Sequence, residues 1–266
     1  MSGARLQARV GAELLERLQF FRLQPRVIVD LGCGAGAGAA ALKRRYPRAR
    51  VLAIDSAFEM TREAHRQRRF WRRYACLCAD GRALPLAAQS VDLVFSNLML
   101  QGCDDPPALF SQVQRVLRPG GLMLFSTFGP DTLHELRSAW ASADQRSHVG
   151  RFADMPQLGA AMTHAGLAEP VMDRELHVEH YADAHALMRG LRGIGARHAA
   201  ADRRRTLTGR GRMQAMITTY ESLRGAGGLP ASWEIIYGAA FAGIPRPGSG
   251  ETAVPLSAIR SHVRGP

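Results

Sequence analysis

Lysine is almost missing from this chain: Lys43 stands alone among 35 basic residues, so arginine carries nearly all of the positive charge. Acid is also short, with 23 Asp and Glu, and the formal net charge is +12. A field of that size favours an acidic partner, whether nucleic acid, an anionic membrane surface or an acidic protein. Genomic base composition can produce the same arginine bias, so charge alone selects none of these. Cysteine is scarce. Cys33, Cys76, Cys78 and Cys103 have neither the spacing of a metal-ligand set nor that of a disulfide framework, which implies no metal and fits a reducing cytoplasm. No apolar run approaches the ~20 residues needed to cross a bilayer, so neither membrane insertion nor export is expected. The opening "MSGARLQARVGAELLERLQFF" is broken by Glu13 and Glu16, while Val10, Leu14, Leu15 and Leu18 recur at helical spacing. It reads as an amphipathic helix, not as a leader.

With 266 residues, 46% of them hydrophobic, the chain can bury a sizeable core as one large domain with an elaboration. "RVIVD" is a β-branched run between Pro25 and a glycine cluster, and "AALKRRY" then has helical spacing up to Pro47. "RVLAID", "ACLCAD", "SVDLVFSN" and "GLMLFST" are further strand candidates, with helical stretches around 59–69 and 107–117 between them. Such alternation predicts an α/β fold, a mostly parallel sheet with helices on both faces. "MPQLGAAMTHAG" reads as another helix and "PVMDRELHVEHY" as a strand. Residues 183–224 look like two helices joined by a basic loop, before "WEIIYGAAFAG" returns as a last strand. We therefore divide the chain into an N-terminal helix (1–24), a core (25–182), a helical cap (183–228), a final core strand (229–245) and a tail (246–266).

In "VIVDLGCGAGAG", Asp30 ends the first strand, and Gly32, Gly34 and Gly36 make the turn into a helix. Glycine belongs where backbone must turn tightly and approach a ligand without a Cβ in the way. Gly32, Gly34 and Ala37 also satisfy the dinucleotide fingerprint, so NAD has to be weighed. Asp55 ends the second strand, where a carboxylate can accept from ribose hydroxyls, and both readings predict it. The later segments discriminate. "VDLGCGAG", "AIDSAFEM", "ADGRALPL", "SVDLVFSNLMLQ" and "VLRPGGLMLFST" resemble, in order and spacing, the motif series of class I S-adenosylmethionine-dependent methyltransferases. That resemblance implies a Rossmann-like, seven-stranded sheet whose last strand runs antiparallel, with the cofactor over the carboxyl ends of the first strands. It further implies that Gly32, Gly34 and Gly36 pack on the methionine moiety of S-adenosylmethionine and that Asp30 orients its amino group. Asp55, with Ser56 beside it, would take the ribose. Asp80 and Gly81 would meet the adenine edge, Met60 would cover its face, and Asn97 and Leu98 would line the sulfonium end. Ala35 and Ala37 stand where such loops often carry hydroxyl residues.

"STFGPDTLHELRSAW", "HVGRFADM", "LMRGLRGIGARH", "LTGR" and "LPASWEIIYGAAF" closely resemble the malonyl-acyl-carrier-protein O-methyltransferases of biotin synthesis, extending the match over about residues 6–257. Family members carry further helix ahead of Leu6 and Gln7, including an aromatic residue that helps close the site, and this chain departs from them there. The implied reaction esterifies the free carboxylate of a malonyl thioester on acyl carrier protein, with malonyl-coenzyme A as a related substrate. A malonyl carboxylate is already ionised at neutral pH, so no acid or base residue is assigned. Arg151 in "HVGRF" is the first choice for a carboxylate clamp. On a helix from 183 to about 195, His185, Arg189 and Arg192 share one face, and Leu187, Met188, Leu191 and Ile194 the other. Arg189 and Arg192 would then meet the phosphopantetheine phosphate and the acidic carrier protein. Three rivals stay open from sequence: an RNA methyltransferase, suggested by "HRQRRFWRR" at 65–73, a methyltransferase of another small acid, and a cofactor-binding protein with reduced activity.

Overall fold

A computed structural model describes residues 3–68, 73–143, 148, 150, 152–193 and 209–243; of Arg192 it describes the backbone alone. The helix α1 (Gly3–Arg17) leads into β1 (Val27–Leu31), α2 (Ala37–Arg45), β2 (Arg50–Asp55), α3 (Phe58–Arg66), β3 (Ala75–Cys78) and β4 (Val91–Asn97). Then follow α4 (Pro106–Val116), β5 (Leu117–Phe128), α5 (His134–Ala143), α6 (Met155–His164), β6 (Leu167–Tyr181), α7 (Ala184–Gly193), α8 (Arg210–Glu221) and β7 (Leu229–Ala242). The sheet order is β3-β2-β1-β4-β5-β7-β6. β1 to β5 pair in parallel, and β7 runs antiparallel between β5 and β6. This is the seven-stranded Rossmann-like arrangement expected from the motif order.

Local chemistry sets several boundaries. Asp105 caps α4 by accepting from the Ala108 amide, and Pro106 occupies the first turn, where no backbone donor is needed. Asp154 and Gln157 form a reciprocal capping box at the start of α6. The central strand β1 is buried on both faces, as its unbroken "VIVDL" requires. α5 adds a helix to those expected from the sequence: its buried face is short, Leu136, Ala139 and Trp140, and begins soon after Gly129 and Pro130.

Helices cover both faces of the sheet. One face packs Leu109, Phe110, Val113 and Val116 of α4 with Leu158 and Met162 of α6. The other gathers Leu6, Val10, Leu14 and Leu18, a stripe at every fourth residue, with Leu187 of α7, Met216 and Tyr220 of α8, and Trp233 of β7. The helices of 183–228 therefore share a core with α1 and the sheet. Tyr181 and Trp233 are buried packing residues within it. Asp92 accepts from the Arg26 and Val27 amides and pairs with Arg118, tying the start of β4 to β1 and β5.

Candidate active site

The carboxyl ends of β1, β2 and β4 open onto a cavity of about 590 Å³. One wall is the glycine loop from Asp30 to Gly38 together with Asp55, Asn97, Leu98 and Met99. The opposite wall is α1, through Ala4, Gln7, Ala8, Gly11, Ala12 and Leu15. Gly32, Asp55 and Met99 also line a second cavity of about 290 Å³, which runs on to Ser56, Asp80, Gly81 and Arg82. The two make one elongated trough with Asp55 at its waist.

Asp30 is 2% exposed, and its Oδ2 has no hydrogen-bond partner. Loss of hydration pushes its pKa up to about 7; the Ala39 amide offsets part of the shift and Asp55 adds to it. Asp30 lines the cavity, and a buried carboxylate with an unanswered oxygen calls for a cation or strong donor. Gly38 lies against it, since a Cβ there would stand 2.7 Å from the same oxygen. Gly32, at φ +73°, has no room for a side chain because Met99 fills that space. Gly34, at φ +50°, has open space instead, which leaves its backbone accessible from the cavity. Gly36 does not line the trough: its missing Cβ makes room for the Tyr74 hydroxyl.

Asp55 spends one hydrogen bond on each oxygen locally, Oδ2 accepting from Gly34 at 2.9 Å and Oδ1 from Ala57 at 2.9 Å. Each oxygen keeps a second lone pair for a ligand. At the far end, Arg82 forks onto Asp80 with Nη2 at 2.7 Å and donates its amide at 2.8 Å, holding that carboxyl down at about 2. Asp80 therefore meets any ligand as an anion. Met60 is 41% exposed on α3 and lines neither cavity.

Asn97 joins the two walls. Its Nδ2 donates to the Gln7 carbonyl of α1 at 3.0 Å, and its Oδ1 accepts from the Ser126 hydroxyl at 2.8 Å. Leu98 follows at φ +49°, a left-handed conformation disfavoured for leucine. Its amide is held by the Ser126 carbonyl at 3.1 Å and Oγ at 3.0 Å. Such conformations persist where surrounding bonds impose them and are common at sites of function.

Nine of the eleven residues expected to meet the cofactor thus line the trough, and Gly36 and Met60 do not. The family resemblance put helix ahead of Leu6 and Gln7 beside the site, but sequence reasoning missed the wall that α1 itself forms, and it missed Met99, Ser126 and Arg82. A signal for the wall was present: Ala4, Ala8, Gly11, Ala12 and Leu15 recur at helical spacing beside the leucine stripe. Of the expected substrate arginines, Arg151 lies outside the described residues, as does the Arg192 side chain. Arg189 is exposed on α7 and lines neither cavity. Arg69, Phe70, Trp71 and Arg72 of the aromatic-basic segment at 65–73 also lie outside them.

A family profile described as a methyltransferase domain matches residues 29–125, which contain the glycine loop, Asp55, Asp80 and Asn97. Across the whole chain, the malonyl-acyl-carrier-protein O-methyltransferase of Xylella fastidiosa (strain M23) is 46% identical over 265 residues, covering 97% of this chain and 90% of the relative. The chain belongs to the malonyl-acyl-carrier-protein O-methyltransferase family. Another family member, from Gallionella capsiferriformans (strain ES-2), is 43% identical over 92% of this chain and 87% of its own. Among solved structures, the YcgJ protein from Bacillus subtilis is similar with a TM-score of 0.62 at 18% identity, covering 87% of this chain and 98% of that one. Geranyl diphosphate C-methyltransferase from Streptomyces coelicolor A3(2), solved with S-adenosyl-L-homocysteine, has a TM-score of 0.54 at 18% identity, over 90% and 80% of the two chains. At those identities the structural likeness establishes the fold, and family membership rests on the sequence relatives. The trough suits this methyltransferase family's S-adenosylmethionine: an unanswered carboxylate for an ammonium, an open glycine turn, a carboxylate at the waist and a third beyond it.

Proposed function

We propose that this chain transfers a methyl group from S-adenosylmethionine to the free carboxylate of a malonyl thioester carried by acyl carrier protein, giving the methyl ester. The observation that carries this reading is identity above 40% along nearly the whole chain to relatives of that name, cap and final strand included. Asp30 would bind the amino group of the cofactor, Asp55 and Ser56 its ribose, and Asp80 and Gly81 the adenine end. Asn97 and Leu98 border the sulfonium side. When bound, the cofactor supplies an electrophilic methyl group.

What remains for the protein is to place the acceptor. The malonyl carboxylate is ionised at neutral pH, so its nucleophile needs no proton removed. A buried carboxylic acid or histidine acting as base would add nothing. Rate comes from aiming one carboxylate oxygen along the line of attack and from keeping water off it. An arginine fork does the first through charge-assisted hydrogen bonds worth about 1.5–3 kcal/mol each. Arg151 is our candidate: its neighbour Phe152 packs on Phe128, the last residue of β5, at 5.6 Å between rings, and Phe128 in turn packs on Trp233 at 5.4 Å. Arg189 and Arg192 are assigned to the carrier side, recognising phosphate and acidic protein surface by steering. Residues 183–228 are read as the substrate cap. Malonyl-coenzyme A presents the same thioester and serves as a surrogate.

Incubation with labelled cofactor and malonyl-carrier protein, followed by mass analysis, should give a product heavier by one methyl group that reverts on ester hydrolysis. Unaltered malonyl thioester at saturating cofactor, or label appearing in RNA instead, overturns the assignment.

A further inference from the structure

A second polar cluster lies on α1 beside the cofactor wall, and the reaction above makes no use of it. Glu13 of α1 faces Glu175 and His177 of β6, two strand positions that point to the same side. None of the three lines either cavity. His177 is 8% exposed, and its Nε2 is buried without a hydrogen-bond partner. That nitrogen stands 3.8 Å from Glu13 Oε2 and 3.6 Å from Glu175 Oε2, too far to donate to either. All three potential ligand atoms lie within 4.8 Å of one another.

Those separations suit a metal ion. Tetrahedral bonds of ~2.0–2.1 Å place neighbouring ligand atoms about 3.3–3.4 Å apart, a few tenths of an ångström inside the two histidine–carboxylate separations of 3.8 and 3.6 Å. The carboxylates are already aimed. Arg17 donates to Glu175 Oε1 at 2.8 Å, leaving Oε2 toward the histidine, and Arg9 donates to Glu13 Oε1 at 3.1 Å. The Tyr237 hydroxyl donates to Glu13 Oε2. Outer partners that orient ligands in this way are a regular feature of metal sites. Arg17 also pairs with Asp173 at 2.7 Å and lies over the Tyr237 ring at 3.8 Å, so three carboxylates face two guanidiniums and a cation is electrostatically welcome.

We propose that Glu13, Glu175 and His177 form a three-ligand site for a zinc ion, with the fourth position open to water. Neutral imidazole and two carboxylates are ordinary zinc ligands, and three protein ligands leave one coordination position free. The ion would bind α1 to the edge strand β6. Because Gly11, Ala12 and Leu15 of the same helix line the cofactor cavity, occupancy would hold that wall in place.

The test uses the full chain and zinc ion alone. Titration against a chromophoric chelator should show one tight equivalent, lost on His177→Ala with a rise in Kd of about 100-fold or more, since removing even an outer partner costs about 10–100-fold. His134→Ala, at an exposed histidine, should leave it unchanged. Glu175→Gln should weaken binding similarly and serves if His177→Ala does not fold. Cobalt(II) in place of zinc should give visible ligand-field bands of tetrahedral intensity without a thiolate charge-transfer band. No stoichiometric metal, binding that survives both ligand variants, or a thiolate band placing the ion on cysteine would each overturn the proposal.

Discussion

Asp30 carries an ionisable group to a place water does not reach, and its pKa is displaced to about 7 as a result. Because the folded chain holds that proton more tightly than the unfolded chain does, the folded state gains from it at low pH. Stability without ligand should fall as pH rises from the ordinary carboxylate range through about 7, and Asp30→Asn should flatten that decline in thermal melts. In the proposed site, a cofactor ammonium bound at Asp30 would reverse the preference, since it needs the anion. Cofactor affinity measured by calorimetry should therefore weaken as pH drops below about 7, and Asp30→Asn should cost about tenfold or more at neutral pH. Affinity unchanged in that variant would remove Asp30 from the binding site. Ser126 bears on the same trough through Asn97 and the left-handed Leu98, so Ser126→Ala should lower stability by about 1 kcal/mol in denaturant unfolding.

The helix α1 serves two environments, with a leucine stripe toward the core and a stripe of small residues toward the cavity. A Cβ on Gly11 would stand 3.0 Å from Asn97 Nδ2, close enough that a larger side chain must push the helix outward. Gly11→Leu should leave the chain folded by circular dichroism and weaken cofactor binding by about tenfold or more, through the wall rather than through any lost ligand contact. α7 behaves differently. Its Leu187 is fully buried in the core shared with α1, while Arg189 is exposed. Leu187→Ala should cost about 2–5 kcal/mol in denaturant unfolding. Arg189→Glu, which touches no core, should leave stability within about 0.5 kcal/mol of the parent. The spacing within "AHALMRGLRG" is enough to separate those two faces, because a helix turns its sequence into a surface at a fixed pitch.

At the scale of the whole molecule, the charge of +12 is a statement about encounter rather than about fold. Turnover on malonyl-carrier protein should fall steeply with added salt, whereas turnover on malonyl-coenzyme A should fall less. Reversing Arg189 and Arg192 together to Glu should raise KM for the carrier substrate well beyond its effect on the coenzyme A surrogate. Equal effects on the two would remove the arginines from carrier recognition. No helix among the described residues is long and apolar enough to cross a membrane, in line with the absence of long apolar runs.

The parallel strands, the glycine turn, the aspartates near the carboxyl ends of β1 and β2, and the family were legible in the sequence because each is written in neighbouring residues. A turn, a strand end or an apolar stripe needs only local spacing to declare itself. Only the tertiary structure decided that the small residues of α1 wall the trough, that Gly36 makes room for Tyr74 instead of for a ligand, that Arg82 occupies Asp80, and that Glu13 meets His177. Most of those pairings join elements that are distant in the chain, and their partners are chosen by how the two layers of helices settle on the sheet. No spacing along a single segment encodes that choice.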